Sequence, residues 1–486
     1  MRPFRSAICA RIGLVSIMEM TLWEKRPPMV AEPAAATDAR DAARAHRPAG
    51  GRLRRSRSDR GTGIVKSWLA RGLLAVLGSG AAVAGTAPEP APSAPADPRV
   101  VVTQSLLLAD VPTLAAIYRQ SPDPVSRVLA AMALERIHFN LDKADEDARL
   151  CERELFASRP GIALFCARFA NGNLRLAQGE GVAAAAELDI ARRFAGRVPQ
   201  AELDGMRRYV EERRARPPLR LQRPEAGFDI PLEHPVHDNR GAIEVEANGG
   251  KARLTVDTGA SFLAMDADTA RRLGVRMLGR SGQANGFLSR GVPVEYGVLD
   301  RLGFAGVVVE NAPVEVLPGH ARLIGIDVLR HLGTFRLTRD RIHVYGKAEP
   351  RPACQEPMLV ASDVWGNDIR VVAALPIEGT LRTTLLDSGS SFYLSGDQTA
   401  LGQLHATYTH RIGLGDIGPR RHAARVNEAT AEVVISGQPI RMTFGVFKDA
   451  RMRWDYVLGS GALDDMDFYF DFGGRHTCML LHDGLR

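Results

Sequence analysis

Between about residues 100 and 217, apolar residues recur three and four positions apart in six segments: 106–120, 126–141, 145–157, 162–177, 182–196 and 201–215. That spacing places them on one face of a helix, and Pro, Gly, Asp and Ser punctuate the intervals, so the pattern predicts a run of amphipathic helices with short connections. The stretch ERRARPPLRLQRPEAG closes the run with charge and proline. Beyond it the period changes to two. AIEVEANGGKARLTV alternates around Asn-Gly-Gly, a hairpin signal, and ends one residue before Asp257. A helix over ADTARRLGV follows, then the glycine-rich GRSGQANGFLSRG, the strand VPVEYGVL, a hairpin over RLGFAGVVVENAPVEVLPG, a short helix in IDVLRHLG and a closing hairpin in FRLTRDRIHVYG.

The β-rich part carries an internal repeat. Residues 254–263 read LTVDTGASFL and residues 384–394 read TLLDSGSSFYL, with Asp257 and Asp387 130 residues apart. One Asp-Thr/Ser-Gly alone is an ordinary turn in which the carboxylate bonds its own backbone. Here each copy has the same sequel, an apolar pair ending in glycine and then a short helical pattern: Leu323-Ile324-Gly325 after the first and Val457-Leu458-Gly459 after the second. A repeat of this length makes two similar lobes the expected architecture.

Residues 220–486 with these paired motifs resemble the retropepsin-like and pepsin-like aspartic proteases. The resemblance implies a mainly β, bilobal pair of barrels, preceded here by the helical region. In that family a strand ending in Asp-Thr/Ser-Gly is crossed from behind by the apolar-apolar-Gly strand. It implies Asp257 and Asp387 as the catalytic pair, with Gly259 and Gly389 allowing close backbone approach and the hydroxyls of Thr258 and Ser388 bonding across to the opposite loop. Substrate would be an extended polypeptide adding a strand against a flap near Gly282 to Gly286. Tyr296, near the distance of the family's flap tyrosine, reads as part of a strand. Ser390 follows Gly389 with a hydroxyl that could donate to Asp387, where Ala260 offers nothing; a donor favours the ionised carboxylate, so Asp387 is expected to be the more acidic member. Two fused lobes make an obligate homodimer unnecessary, and a monomer is expected. No cofactor and no metal is expected. The rival reading is a catalytically inactive peptide-binding or assembly protein that works through its helical region.

Other motifs change little. Gly413 to Gly418 spells GxGxxG, but Pro419, Arg420 and Arg421 follow it without a helical period, which argues against a dinucleotide site. His405, His410 and His422 match no zinc spacing and read as loop histidines. The helical region resembles a small helix-pair repeat of tetratricopeptide type and reads either as a bare support or as a surface for a protein partner.

The 486 residues, 45% hydrophobic and 24% charged, suffice for two or three domains. Much of the basic excess behind the net charge of +7 lies around residues 46–60, without aromatic residues for base stacking, and no nucleic-acid partner is expected. Residues 65–87 run from basic to apolar to small residues, the layout of a secretory signal peptide. The expected organisation is therefore a doubtful disordered leader at 1–64, a signal peptide at 65–85, a Pro/Ala linker at 86–99, the helical domain at 100–217, and lobes at 218–349 and 350–486. A bacterial start at Val65 would explain the leader; a membrane anchor over residues 68–85 is the alternative to a periplasmic or secreted protein. Of five cysteines, Cys151, Cys166, Cys354 and Cys478 follow the leader. Pairing 151 with 166 and 354 with 478 is the most natural of three connectivities, and four unpaired buried thiols are the equal alternative.

Overall fold

The computed structural model describes residues 97–213, 217–235, 238–286, 288–420, 422–448 and 452–482. The leader, the signal peptide and nearly all of the linker expected for residues 1–99 lie outside these.

Seven helices come first: α1 (Pro98–Leu108), α2 (Val111–Gln120), α3 (Pro124–Ile137), α4 (Leu141–Leu155), α5 (Pro160–Gln178), α6 (Glu180–Arg193) and α7 (Gln200–Arg213), each packed on the next. The first expected segment is two helices, because Ala109 turns left-handed at φ 51° and Asp110 caps the next helix by accepting from Thr113 N–H, with Pro112 in its first turn. Asp97 before Pro98 and Asp123 before Pro124 start α1 and α3 in the same manner. A disulfide joins Cys151 of α4 to Cys166 of α5.

The first lobe contains β1 (Arg220–Gln222), β2 (Phe228–Pro231), β3 (Ala242–Ala247), β4 (Gly250–Val256), β5 (Leu263–Asp266), α8 (Ala267–Arg272), β6 (Arg276–Ala284), β7 (Val292–Phe304), β8 (Val307–Leu317), β9 (Arg322–Ile324), α9 (Ile326–Leu329), β10 (Thr334–Leu337) and β11 (Arg341–Val344). The second contains β12 (Leu359–Ala361), β13 (Arg370–Ile377), β14 (Thr380–Asp387), β15 (Leu394–Gly396), α10 (Gln398–Leu401), β16 (Ala406–Leu414), β17 (His422–Ile435), β18 (Gln438–Phe447), β19 (Tyr456–Gly459), β20 (Met466–Asp471) and β21 (His476–Leu481).

The repeat is a repeat of topology. The ladder β3-β4-β9-β5-β8 recurs as β13-β14-β19-β15-β18, and in each lobe the next long strand, β7 or β17, pairs with both ends of that ladder and closes it into a barrel. The two motif strands lie parallel in both lobes, Val256 beside Ile324 and Asp387 beside Gly459. Val256, Ile324, Leu386 and Leu458 are buried, which is why these runs are continuously apolar instead of alternating.

A third sheet, β2-β11-β10-β20-β21, joins the lobes, with Phe335 of β10 paired to Phe470 of β20. Cys354, in the segment between lobes, is bridged to Cys478 of β21. The fold is thus mainly β and bilobal, with the helical region before it.

Candidate active site

Asp257 stands at the end of β4, where the chain leaves the barrel. Its N–H donates to Ile324 O (3.1 Å), and Ala260 O accepts from Ile326 N–H (2.9 Å), so the Leu-Ile-Gly strand holds the Asp257 loop from behind. The second lobe repeats this: Ser390 O accepts from Ser460 N–H (2.7 Å) and Gly459 N–H donates to Tyr393 O (2.8 Å). A side chain at Gly325 would strike the carbonyls of Ala260 and Phe262, and one at Gly459 those of Ser390 and Phe392. The glycine after the apolar pair is therefore a requirement for close backbone approach.

The loops meet between the lobes. Thr258 Oγ1 donates to Leu386 O (2.8 Å) and accepts from Ser388 N–H (3.0 Å); Ser388 Oγ donates to Val256 O (2.7 Å) and accepts from Thr258 N–H (3.1 Å). Both residues are buried. This exchange brings each carboxylate onto the other loop's glycine: a Cβ at Gly259 would collide with the Asp387 carboxylate, and one at Gly389 with that of Asp257. Asp387 Oδ1 accepts from Gly389 N–H (2.9 Å). Asp257 Oδ1 is buried with no hydrogen-bond partner among the described residues.

Burial raises the pKa of both aspartates. Asp387 is raised further, because after burial the neighbouring charge of Asp257 adds to the penalty, whereas hydrogen bonds from Asp387 and from the Gly259 and Ala260 amides favour the ionised Asp257. Two like charges packed this closely do not both form, so the pair shares one proton. The neighbouring charge of Asp257 runs against the expectation that Asp387 is the more acidic member. Among the described residues Ser390 Oγ makes no hydrogen bond to Asp387; Ser390 contributes its carbonyl, which accepts from both Ser460 N–H and Ser460 Oγ (2.9 Å).

Each lobe carries a long hairpin, and only the first was expected to be a flap. In the first lobe β6 and β7 form a hairpin with its tip at residues 285–291. Gly286 lies in that tip, but Gly282 lies in β6 opposite Val294, and the Tyr296 hydroxyl occupies the space a side chain at 282 would need. In the second lobe β16 and β17 form the matching hairpin, and its tip contains Gly415 to Gly418 from the GxGxxG stretch. His410 and His422 are therefore strand residues, a correction to the loop reading, and only His405 lies between elements.

The tips interlock. Asp416 Oδ2 accepts from Leu288 N–H (2.7 Å) and Ser289 N–H (2.6 Å), and Ser289 Oγ lies 3.1 Å from His422 Nε2. Leu288 packs on the second lobe's Ala424, Val426 and Phe447, and Ile417 packs on the first lobe's Val292, Val294 and Leu317. The stretch HRIGLGDIGPRRHAARV holds the place in the second half that the glycine-rich hairpin holds in the first, after α10 as β6 follows α8.

Residues 243–328 match the aspartyl protease family, a retropepsin-like family, and this span contains Asp257, the first flap and Gly325. No curated protein matches the chain. The match to that family lies within the first lobe, and the second lobe shares the first lobe's strand order.

Proposed function

We propose that this chain is an aspartic endopeptidase in which Asp257 and Asp387 activate one water between them. The observation that carries this reading is the mutual packing of each carboxylate on the other loop's glycine, which brings the two acids together between the lobes. Asp257, ionised, takes a proton from the water as its oxygen bonds to the carbonyl carbon; Asp387 gives its proton to the carbonyl oxygen. The resulting diol collapses when Asp257 returns its proton to the amide nitrogen and Asp387 recovers one from a hydroxyl, so the C–N bond breaks and the dyad is restored. The buried Asp257 Oδ1, without a hydrogen-bond partner among the described residues, supports a base at that atom.

A polypeptide substrate would lie extended under both flaps and bond to their strands through its main chain. Entry requires the tips to part, since Asp416 ties them. With both acids on one chain, the monomer is the working unit. We place its action outside the cytoplasm on the basic, apolar and small-residue succession at residues 65–87.

The test is cleavage of an unfolded protein mixture at acidic and neutral pH with and without a statine-type inhibitor. Inhibitor-sensitive cleavage is expected. Binding of peptides without any cleavage would favour the inactive peptide-binding reading instead.

A further inference from the structure

The helical domain takes no part in the chemistry above, yet its most deeply buried charge is directed at the second lobe. Arg136 of α3 is wholly buried. Its guanidinium donates to Asn173 Oδ1 (2.6 Å), to the Phe169 carbonyl, and to the carbonyls of Asp363 and Val364 (3.0 Å each). Burial lowers its pKa from the ordinary arginine range. A charge so placed is tolerated only while such acceptors remain in position.

Asp363 and Val364 belong to the segment 362–369 between β12 and β13, and the helices hold that segment along its length. Ser362 N–H donates to Leu106 O (3.2 Å), the Arg168 guanidinium lies over the Trp365 ring (4.4 Å), and Gly366 meets Gly172 of α5 so closely that neither has room for a side chain. The far end of the segment reaches the dyad. Asp368 adopts φ 58°, uncommon for a residue with a side chain, and is held by Arg370 (3.2 Å) and Arg453 (2.5 Å). Arg370 donates to the Ser261 hydroxyl and to Ile369 O (2.8 Å), and Ser261 Oγ donates to Ile369 O (3.1 Å). Ser261 is a buried residue of the other lobe, four positions after Asp257, and its carbonyl accepts from Asp327 N–H (2.9 Å).

The first lobe carries the same sequence element. Asp238-Asn-Arg240 precedes Asp257 by the same interval, 17 residues from arginine to aspartate, as Asp368-Ile-Arg370 precedes Asp387. There Arg240 pairs with Asp238 (2.5 Å), and the position matching Ser261, Ser391, is exposed. Among the described residues only the copy packed against the helices crosses to the opposite aspartate's loop.

We propose that the helical domain is a working part of the catalytic unit: through Arg136 it fixes the segment 362–369, and through Arg370 and Ser261 that segment positions the loop carrying Asp257. The proposal rests on the endopeptidase reading above. Arg136, Arg370 and Ser261 are positioning residues.

The experiment compares the full chain with Arg136→Met, Arg136→Lys, Ser261→Ala and the double variant Arg136→Met/Ser261→Ala, with Leu114→Ala, buried in α2, as a stability control. All are assayed below their melting temperatures. Arg136→Met is expected to lower kcat about tenfold with KM little changed, and the double variant to be no worse than Arg136→Met alone. The acid limb of its pH profile should move to higher pH, because a displaced Arg370 no longer favours the ionised Asp257. Hydrogen exchange of the amides at 258–263 should quicken. Leu114→Ala should melt earlier with kcat and pH profile unaltered. Arg136→Lys, which keeps the charge but not all four bonds, should fall between, and serves if the methionine variant does not fold. Wild-type kcat, pH profile and exchange in both Arg136 variants would overturn the proposal. If the wild-type chain cleaves nothing, the endopeptidase reading fails, and the exchange measurement still decides whether the helices hold the Asp257 loop.

Discussion

Thr258 and Ser388 hold each other's loops through four hydrogen bonds, two in each direction, in the buried interior between the lobes. Because each hydroxyl both donates and accepts, its loss leaves a carbonyl and an amide unpaired away from water. Thr258→Val is expected to destabilise the chain by about 1–3 kcal/mol for the groups left unsatisfied. Ser388→Ala should do the same. Thermal melting of both variants checks this, and activity should fall with the loss of alignment between the aspartates.

Gly259 and Gly389 carry a sharper constraint, since a methyl group at either would enter the opposite carboxylate. Gly259→Ala and Gly389→Ala should each move one acid off its partner, and a displacement of this size is expected to reduce kcat about a hundredfold. Steady-state kinetics beside a melting curve separate this from unfolding.

The pair also bears on stability. Both folded-state pKa values are raised, so the dyad's contribution to stability is intact below the ordinary aspartate pKa and is lost as pH rises through the folded values. Asp387→Asn should therefore melt higher than the wild-type chain at neutral pH, with the difference vanishing near pH 3. Activity should show two limbs, declining in acid as Asp257 takes up a proton and declining at higher pH as Asp387 loses its own.

Asp416 makes the flap tips one unit in the closed state. Asp416→Ala removes the acceptor of two backbone amides. Faster hydrogen exchange is expected in peptides covering Leu288 and Ser289, with the barrels unchanged.

The Cys354–Cys478 bridge closes a loop of 124 residues. In the chain-entropy model its removal by Cys354→Ser with Cys478→Ser should cost about 4–5 kcal/mol, read as a lower melting temperature. Non-reducing peptide mapping should find both cysteines bridged.

What the sequence made legible were the parts whose physics is local. The strand before Asp257 and its copy before Asp387 are apolar runs with one outcome each, and Gly325 and Gly459 mark backbone contacts that no other residue permits. The Cys151–Cys166 pair, 15 residues apart, was one of the natural pairings for the same local reason. The tie between the two hairpin tips was not legible, because Asp416 acquires its meaning only against Leu288 and Ser289 from the other lobe. The expectation for the dyad weighed Ser390, a hydroxyl adjacent in sequence, and left out burial and the neighbouring charge, which depend on the whole fold. Nothing local marks Arg136, whose acceptors Asp363 and Val364 lie 227 and 228 residues away.

The central claim is that Asp257 and Asp387 act as one unit, and the most direct measurement is peptide turnover by Asp257→Asn, Asp387→Asn and the double variant, each shown by melting to be folded. The account predicts that either single variant is nearly as inactive as the double, since the remaining acid cannot supply both the base and the proton. Substantial inhibitor-sensitive cleavage by either single variant would contradict it.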